Sequence, residues 1–142
     1  MAVAGLLEEM DRFYGATDTE PIAEQLRQIN EALFGDVPAA YALLAWDESH
    51  LVGLAAYSFL WPAVGLTQSL YLKELYVSQA HRRRGIGAQL MRGISEVAAK
   101  RQSSRVEWTT DRDNPGAQQF YAAQGYETCD SKVFYRVETD GQ

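Results

Sequence analysis

The sequence predicts a mixed α/β (α+β) domain with its elements in the order α-α-β-β-β-α-β-α-β. Three observations predict it. Apolar residues recur at helical spacing at the start of the chain and again after the arginine-rich stretch "HRRRGIG". Short runs rich in Leu, Val, Tyr and Phe lie between turn residues and read as strands. Capping and breaking residues stand at the edges of the helical segments. At 142 residues the chain suits one domain, 1–142, with 138–142 a frayed tail.

Val3, Leu6, Leu7, Met10, Phe13 and Tyr14 share one face of a first helix, which "GATDTEP" interrupts. Ile22, Leu26, Ile29, Leu33 and Phe34 mark a second helix, with Thr19 or Asp18 as its N-cap and Gly35 and Pro38 as its end. "AAYALLAW", "DESH" and "LVGLAAYSFLW" form a β-hairpin that Pro62 closes. "SLYLKELYV" is a further strand, continuing "AVGLTQ" across a turn. Ile86, Leu90, Ile94, Val97 and Ala98 line one face of the next helix. After a polar "RQSS" turn, "SRVEWTT" is a strand. Asn114 caps a short helix, Pro115 is its first residue and Gly125 its stop; Ala117, Phe120 and Tyr121 lie on it. "KVFYRV" is the last strand. No internal repeat, low-complexity tract or linker breaks the pattern.

Composition narrows the function. Apolar content of 46% and charged content of 23% are those of an ordinary globular protein. No apolar run reaches the length of a membrane span, and the start of the chain lacks the basic residues of a signal peptide, so no membrane partner is expected. A formal net charge of -6 argues against nucleic acid. Cys129 is the single cysteine, which points to a reducing, cytoplasmic setting. His50, His81 and Cys129 are too scattered to suggest a metal site.

Against that acidic background, Arg82-Arg83-Arg84-Gly85-Ile86-Gly87 concentrates positive charge at a strand-to-helix joint. A helix N-terminus offers backbone N–H groups and a favourable dipole to an anion, and glycine lets a phosphate approach the backbone. Arginines add charge-assisted, often bidentate bonds. The stretch therefore has the chemistry for a pyrophosphate. It contains no Walker-type string, and Leu90 stands where a dinucleotide fingerprint has its third glycine. An ordinary turn with a solvated basic edge fits the same six residues equally well.

Arg82 to Ala88 resembles the acetyl-CoA signature Arg/Gln-x-x-Gly-x-Gly/Ala of the GNAT superfamily of N-acetyltransferases. "NPGAQQFYAAQGY" is similar to that superfamily's Asn-x-x-Ala-x-x-Phe-Tyr-x-x-x-Gly-Phe/Tyr, and the two motifs stand in the family order. Within the superfamily the central segment resembles the diamine, or spermidine/spermine-type, branch. The likeness covers about Tyr41 to Val137. It implies a mixed, mostly antiparallel sheet flanked by helices, without the edge strand that usually precedes the first helix. A second departure is Lys73-Glu74, where the diamine branch carries Glu-Asp.

The resemblance implies acetyl-CoA as cosubstrate and a small-molecule primary amine, of diamine or polyamine type, as acceptor. Pantetheine would pair with the main chain of Leu75, Tyr76 and Val77 in a cleft where "KELYV" splays from "SRVEWTT". The pyrophosphate would rest on Arg82, Arg83, Arg84, Gly85, Ile86, Gly87 and Ala88, with Asn114, Ala117 and Tyr121 contributing from the second motif. The amine would attack the thioester directly. Freeing its lone pair at pH 7 costs about 4.6 kcal/mol for a pKa near 10.4, which gives a base its use. Glu74 is the candidate base and Tyr121 the candidate acid. Each has a plainer reading: Glu74 as a solubilising acid, with Lys73 or a water chain handling the proton, and Tyr121 as a packing residue. Either Glu107 or Trp108 could face the acceptor. Tyr57, Phe59 and Trp61 fit sheet packing better than an amine cage. A protein or peptide acetyltransferase and a CoA-binding module without turnover remain alternatives. The resemblance also implies a possible homodimer.

Overall fold

In the computed structural model, residues 2–15 and 21–139 are described, and they fall into two units, Met1–Thr109 and Thr110–Gln142. Helix α1, Ala2–Phe13, buries Ala4, Leu6 and Met10, three positions of one helical face. Helix α2 spans Ile22–Phe34. The caps expected for it, Asp18 and Thr19, lie outside the described residues; Pro21 stands at its N-cap and Gly35 closes it, donating to the Glu31 carbonyl at 3.3 Å. No α2 residue is buried, and its apolar line borders a groove of about 450 Å³ that includes Val3, Leu26, Ile29 and Phe34.

The sheet runs in the order β1-β2-β3-β4. Strands β1, Tyr41–Asp47, and β2, His50–Leu60, form the expected hairpin around a two-residue turn at Glu48 and Ser49, with Glu48 at φ 55°. Strand β3, Gln68–Val77, pairs antiparallel with β2 and parallel with β4, Ser103–Glu107. A short 3₁₀ turn, Gln79–His81, precedes helix α3, Ile86–Lys100.

Two helices cover opposite faces of the sheet. Leu54 and Tyr76 pack with Leu6 and Met10 of α1. On the other face, a Cβ added to Gly53 would stand 3.1 Å from both Ile86 and Leu90 of α3, and one on Gly93 of α3 would stand 2.9 Å from Leu43. Those glycines set how closely α3 approaches. Leu90, Met91, Ile94 and Ala98 of α3 are buried there; Met91 joins the face that the spacing outlined.

In the second unit, helix α4 covers Pro115–Ala123. Asn114 caps it, accepting the Ala117 N–H at 3.1 Å, and Gly125 follows at φ 90°. The final strand expected at "KVFYRV" is absent: no strand occurs among the described residues of this unit, and Val133, Phe134, Tyr135 and Val137 are 66–87% exposed. The β-favouring composition is there, but composition makes a strand only when a neighbouring backbone supplies the ladder.

Candidate active site

The first feature is a fork in the sheet. The β3–β4 ladder pairs Gln68 with Ser103 and ends at Tyr71 with Glu107, while β3 runs on to Val77. Leu75, Tyr76 and Val77 therefore lie beyond the ladder on the β4 side and are held by β2, opposite Ala55, Leu54 and Gly53. At the mouth of the fork, the buried Ser69 hydroxyl donates to the Glu107 carboxylate at 2.7 Å. Trp108 follows the end of β4 and is half-buried.

The second feature is a β-bulge. Ala56 pairs with Glu74 and Tyr57 with Leu72, so Lys73 is the extra residue. Leu70, Leu72, Leu75 and Val77 oppose Phe59, Tyr57, Ala55 and Gly53, which alternate regularly along β2. All four thus face α3, and the bulge absorbs the slip between Leu72 and Leu75. Glu74 and Tyr76, opposite Ala56 and Leu54, face α1. Glu74 is half-buried there and Lys73 is exposed. Across the sheet Tyr57 is buried and packs against Tyr41 and Phe59, whose ring carries the Arg101 guanidinium at 4.4 Å; these aromatics are sheet packing.

The third feature is the start of α3. Gly85 occupies its N-cap at φ 78°, with no side-chain cap, and the first helical bond reaches from the Gln89 N–H to the Gly85 carbonyl at 3.0 Å. The N–H groups of Ile86, Gly87 and Ala88 therefore precede the intrahelical ladder. A Cβ on Gly85 would meet nothing within 4 Å, so the backbone is open to an approaching group. Arg83 also takes a left-handed conformation, φ 66°, which costs a side-chain-bearing residue about 1–2 kcal/mol.

The three arginines are not equivalent. Arg82 is engaged within the protein: its Nε donates to the Val77 carbonyl at 3.1 Å, and its guanidinium lies 4.6 Å from the Phe13 ring and 5.3 Å from the Tyr76 ring. Arg84 lies 3.7 Å from the Asp47 carboxylate, which His81 also approaches at 3.5 Å. Beside Arg82, Glu9 of α1 accepts from the Tyr76 hydroxyl, from Ser78 at 3.3 Å and from the Gln79 N–H at 3.2 Å. Burial pushes the Glu9 carboxyl up, but bonds from Tyr76, Gln79 and Ser78 and the Arg82 charge outweigh it and leave the group below its usual range. Burial, then the bond to Glu9 and its charge, push the Tyr76 hydroxyl up to about 12. Sequence reasoning missed Glu9. Its signal was an acid inside the apolar stripe, three residues after Leu6 and four before Phe13.

In the second unit Tyr121 lies on α4, half-buried, with its ring 5.1 Å from Phe120 and 6.4 Å from Tyr126. Asn114 spends its side chain on the helix cap. Among the described residues no group of His, Cys, Asp and Glu could hold a metal ion, and no helix is long and apolar enough to cross a membrane.

Residues 4–126 match the family model described as the acetyltransferase (GNAT) family. The chain belongs to that family. Acetyl-CoA is the family's acyl donor, and the uncapped start of α3 with the open edge of β3 fits its pyrophosphate and its amide-bearing arm. Among curated relatives, the human spermidine/spermine N(1)-acetyltransferase-like protein 1 is 29% identical over an alignment of 99 residues, which covers 65% of this chain and 14% of that protein. An integron cassette protein from the mobile metagenome of V. cholerae superposes with a TM-score of 0.85 at 28% identity, over 99% of this chain and 86% of the other. An aminoglycoside N-acetyltransferase solved with CoA shares the fold, with a TM-score of 0.75 and 20% identity over 97% of this chain and 88% of the other.

Proposed function

We propose that this GNAT chain is an acetyl-CoA-dependent N-acetyltransferase acting on a small-molecule primary amine of diamine or polyamine type. One observation carries the cofactor half: β3 outruns its ladder with β4 and leads through 78–85 into the uncapped start of α3. That places an open strand edge and a set of helix N–H groups on one continuous segment. Leu75, Tyr76 and Val77 hold the pantetheine arm through the main chain, and Arg82 to Ala88 hold the pyrophosphate. The family match, which crosses both units, supports reading 1–142 as one domain. The human relative supports the diamine class of acceptor.

Bound acetyl-CoA supplies an acetyl group activated as a thioester. Glu74, turned to the α1 face by the bulge, takes the proton from the acceptor ammonium, directly or through water. Tyr121 protonates the departing thiolate, and Asn114 and Ala117 shape the start of its helix. A main-chain N–H of β3 stabilises the developing oxyanion. The single cysteine supports a cytoplasmic setting, and the family likeness a homodimer, which light scattering decides.

The test is an acceptor panel of diamines, polyamines, lysine peptides and arylamines, followed by thiol release from acetyl-CoA. Turnover with diamines is expected. Turnover with peptides alone selects a peptide acetyltransferase, and binding without turnover on any amine selects a CoA-binding module. With the best acceptor, Tyr121→Phe keeps the ring and removes the acid; kcat should fall by about 10²–10⁴ while the acetyl-CoA Kd stays within about tenfold. An unchanged kcat makes Tyr121 a packing residue.

A further inference from the structure

Among the described residues, the Glu9 carboxylate accepts from the Tyr76 and Ser78 hydroxyls and from the Gln79 N–H. Those residues join the open end of β3 to the turn that carries the arginines. Phe13, one helical turn further along α1, stacks on Arg82, which reaches back to the Val77 carbonyl. Two residues of one α1 face therefore grip both ends of the segment 76–82. The grip has no evident need as packing, because Leu6 and Met10 already bury the adjoining face against Leu54 and Tyr76. A carboxylate is a costly group to place against a sheet unless its acceptor capacity is used. Here it is used on a hydroxyl, a second hydroxyl and a main-chain N–H.

We infer that Glu9 is a positioning residue for the cofactor: it fixes 76–79 so that the open edge of β3 and the N–H groups at the start of α3 are aligned before acetyl-CoA arrives. Arg82 is then the inner clasp of this joint. The inference rests on the proposed cofactor site. The donor and acceptor states it needs are the ones favoured at neutral pH, since Glu9 is held ionised and the Tyr76 hydroxyl held protonated. Pre-alignment acts on affinity, because a segment already ordered loses less freedom on binding.

The experiment measures CoA affinity by titration calorimetry, well below the unfolding temperature, for Glu9→Gln, Met10→Ala and Gly87→Val. Glu9→Gln keeps the size of the side chain and removes its charge and one acceptor oxygen. Met10→Ala weakens the same helix packing without touching the carboxylate. Glu9→Gln should raise the CoA Kd about tenfold, the size of a charged hydrogen bond lost from the site. Met10→Ala should lower Tm and leave Kd within about twofold. Equal changes in Kd for the two variants, or none for Glu9→Gln, overturn the inference and make Glu9 a stability residue. Should Glu9→Gln not fold, Ser78→Ala removes one donor and should raise Kd about threefold; no rise there overturns it equally. Gly87→Val separates this inference from the reading beneath it. If that variant binds CoA normally, the cofactor site itself is misplaced; if it loses binding while Glu9→Gln does not, only the role of Glu9 falls.

Discussion

Tyr76→Phe removes a single hydroxyl from the joint between α1 and β3. The ring is 3% exposed and packs among Leu6, Met10 and Leu54, contacts that phenylalanine keeps. What is lost is the bond to the Glu9 carboxylate. A hydrogen bond to a charged group is worth about 1.5–3 kcal/mol, and Glu9 retains Ser78 and the Gln79 N–H, so the lower figure applies at pH 8. Burial of the hydroxyl, together with its bond to Glu9, also carries a pH signature. The Tyr76 hydroxyl rises from 10.0 to about 12 in the folded protein, so its contribution is fully present below pH 10 and is lost as pH rises through 12. At pH 11 this linkage removes about 1.4 kcal/mol from the wild type and nothing from the variant. Urea unfolding of both proteins at pH 8 and pH 11 measures it. The wild type should be more stable by about 1.5 kcal/mol at pH 8, and the difference should shrink almost to zero at pH 11. A difference that stays constant between the two pH values would show that burial and the bond to Glu9 do not raise the hydroxyl.

Three further outcomes are expected. Gly87→Val puts a branched side chain in the proposed phosphate site, so acetyl-CoA should lose most of its stabilising effect, which for wild type is about 2.7 kcal/mol at 100 times Kd; thermal shift with and without acetyl-CoA checks it, with NAD and ATP as weak controls. Ile94→Ala, at a site 0% exposed between α3 and the sheet, should cost about 2–5 kcal/mol in urea unfolding. Glu74→Gln should flatten the acidic limb of the pH-rate profile, where the acceptor must lose its proton; an unchanged limb assigns the proton to another group or to an acceptor that arrives neutral.

Much of this protein could be read from local sequence. Helix α1 followed from Leu6, Met10 and Phe13 at helical spacing, and α4 from Asn114, Pro115 and Gly125 at its ends. The loop from Arg82 to Gly87 was legible as a candidate anion site because its chemistry is contiguous: charge, glycine and helix start follow one another along the chain. The bulge was not read there: a regular strand sets Lys73 and Glu74 on opposite sides, and only the pairing with β2 makes Lys73 the extra residue.

The tertiary structure decided what depends on partners distant in sequence. Arg82, Arg83 and Arg84 look alike in the chain, but only folding sets Arg82 against Phe13 and Tyr76 and draws Glu9 to Ser78 and Gln79. The end of the β3–β4 ladder at Tyr71 is a relation between two strands separated by α3, and neither strand's composition specifies it. "KVFYRV" has strand composition and forms no strand for the same reason. Periodicity and capping act within a few residues of each other, so the sequence displays them directly. Ladders, stacked rings and a carboxylate's donors are set by which distant backbone arrives alongside, and that is decided by how the whole core packs.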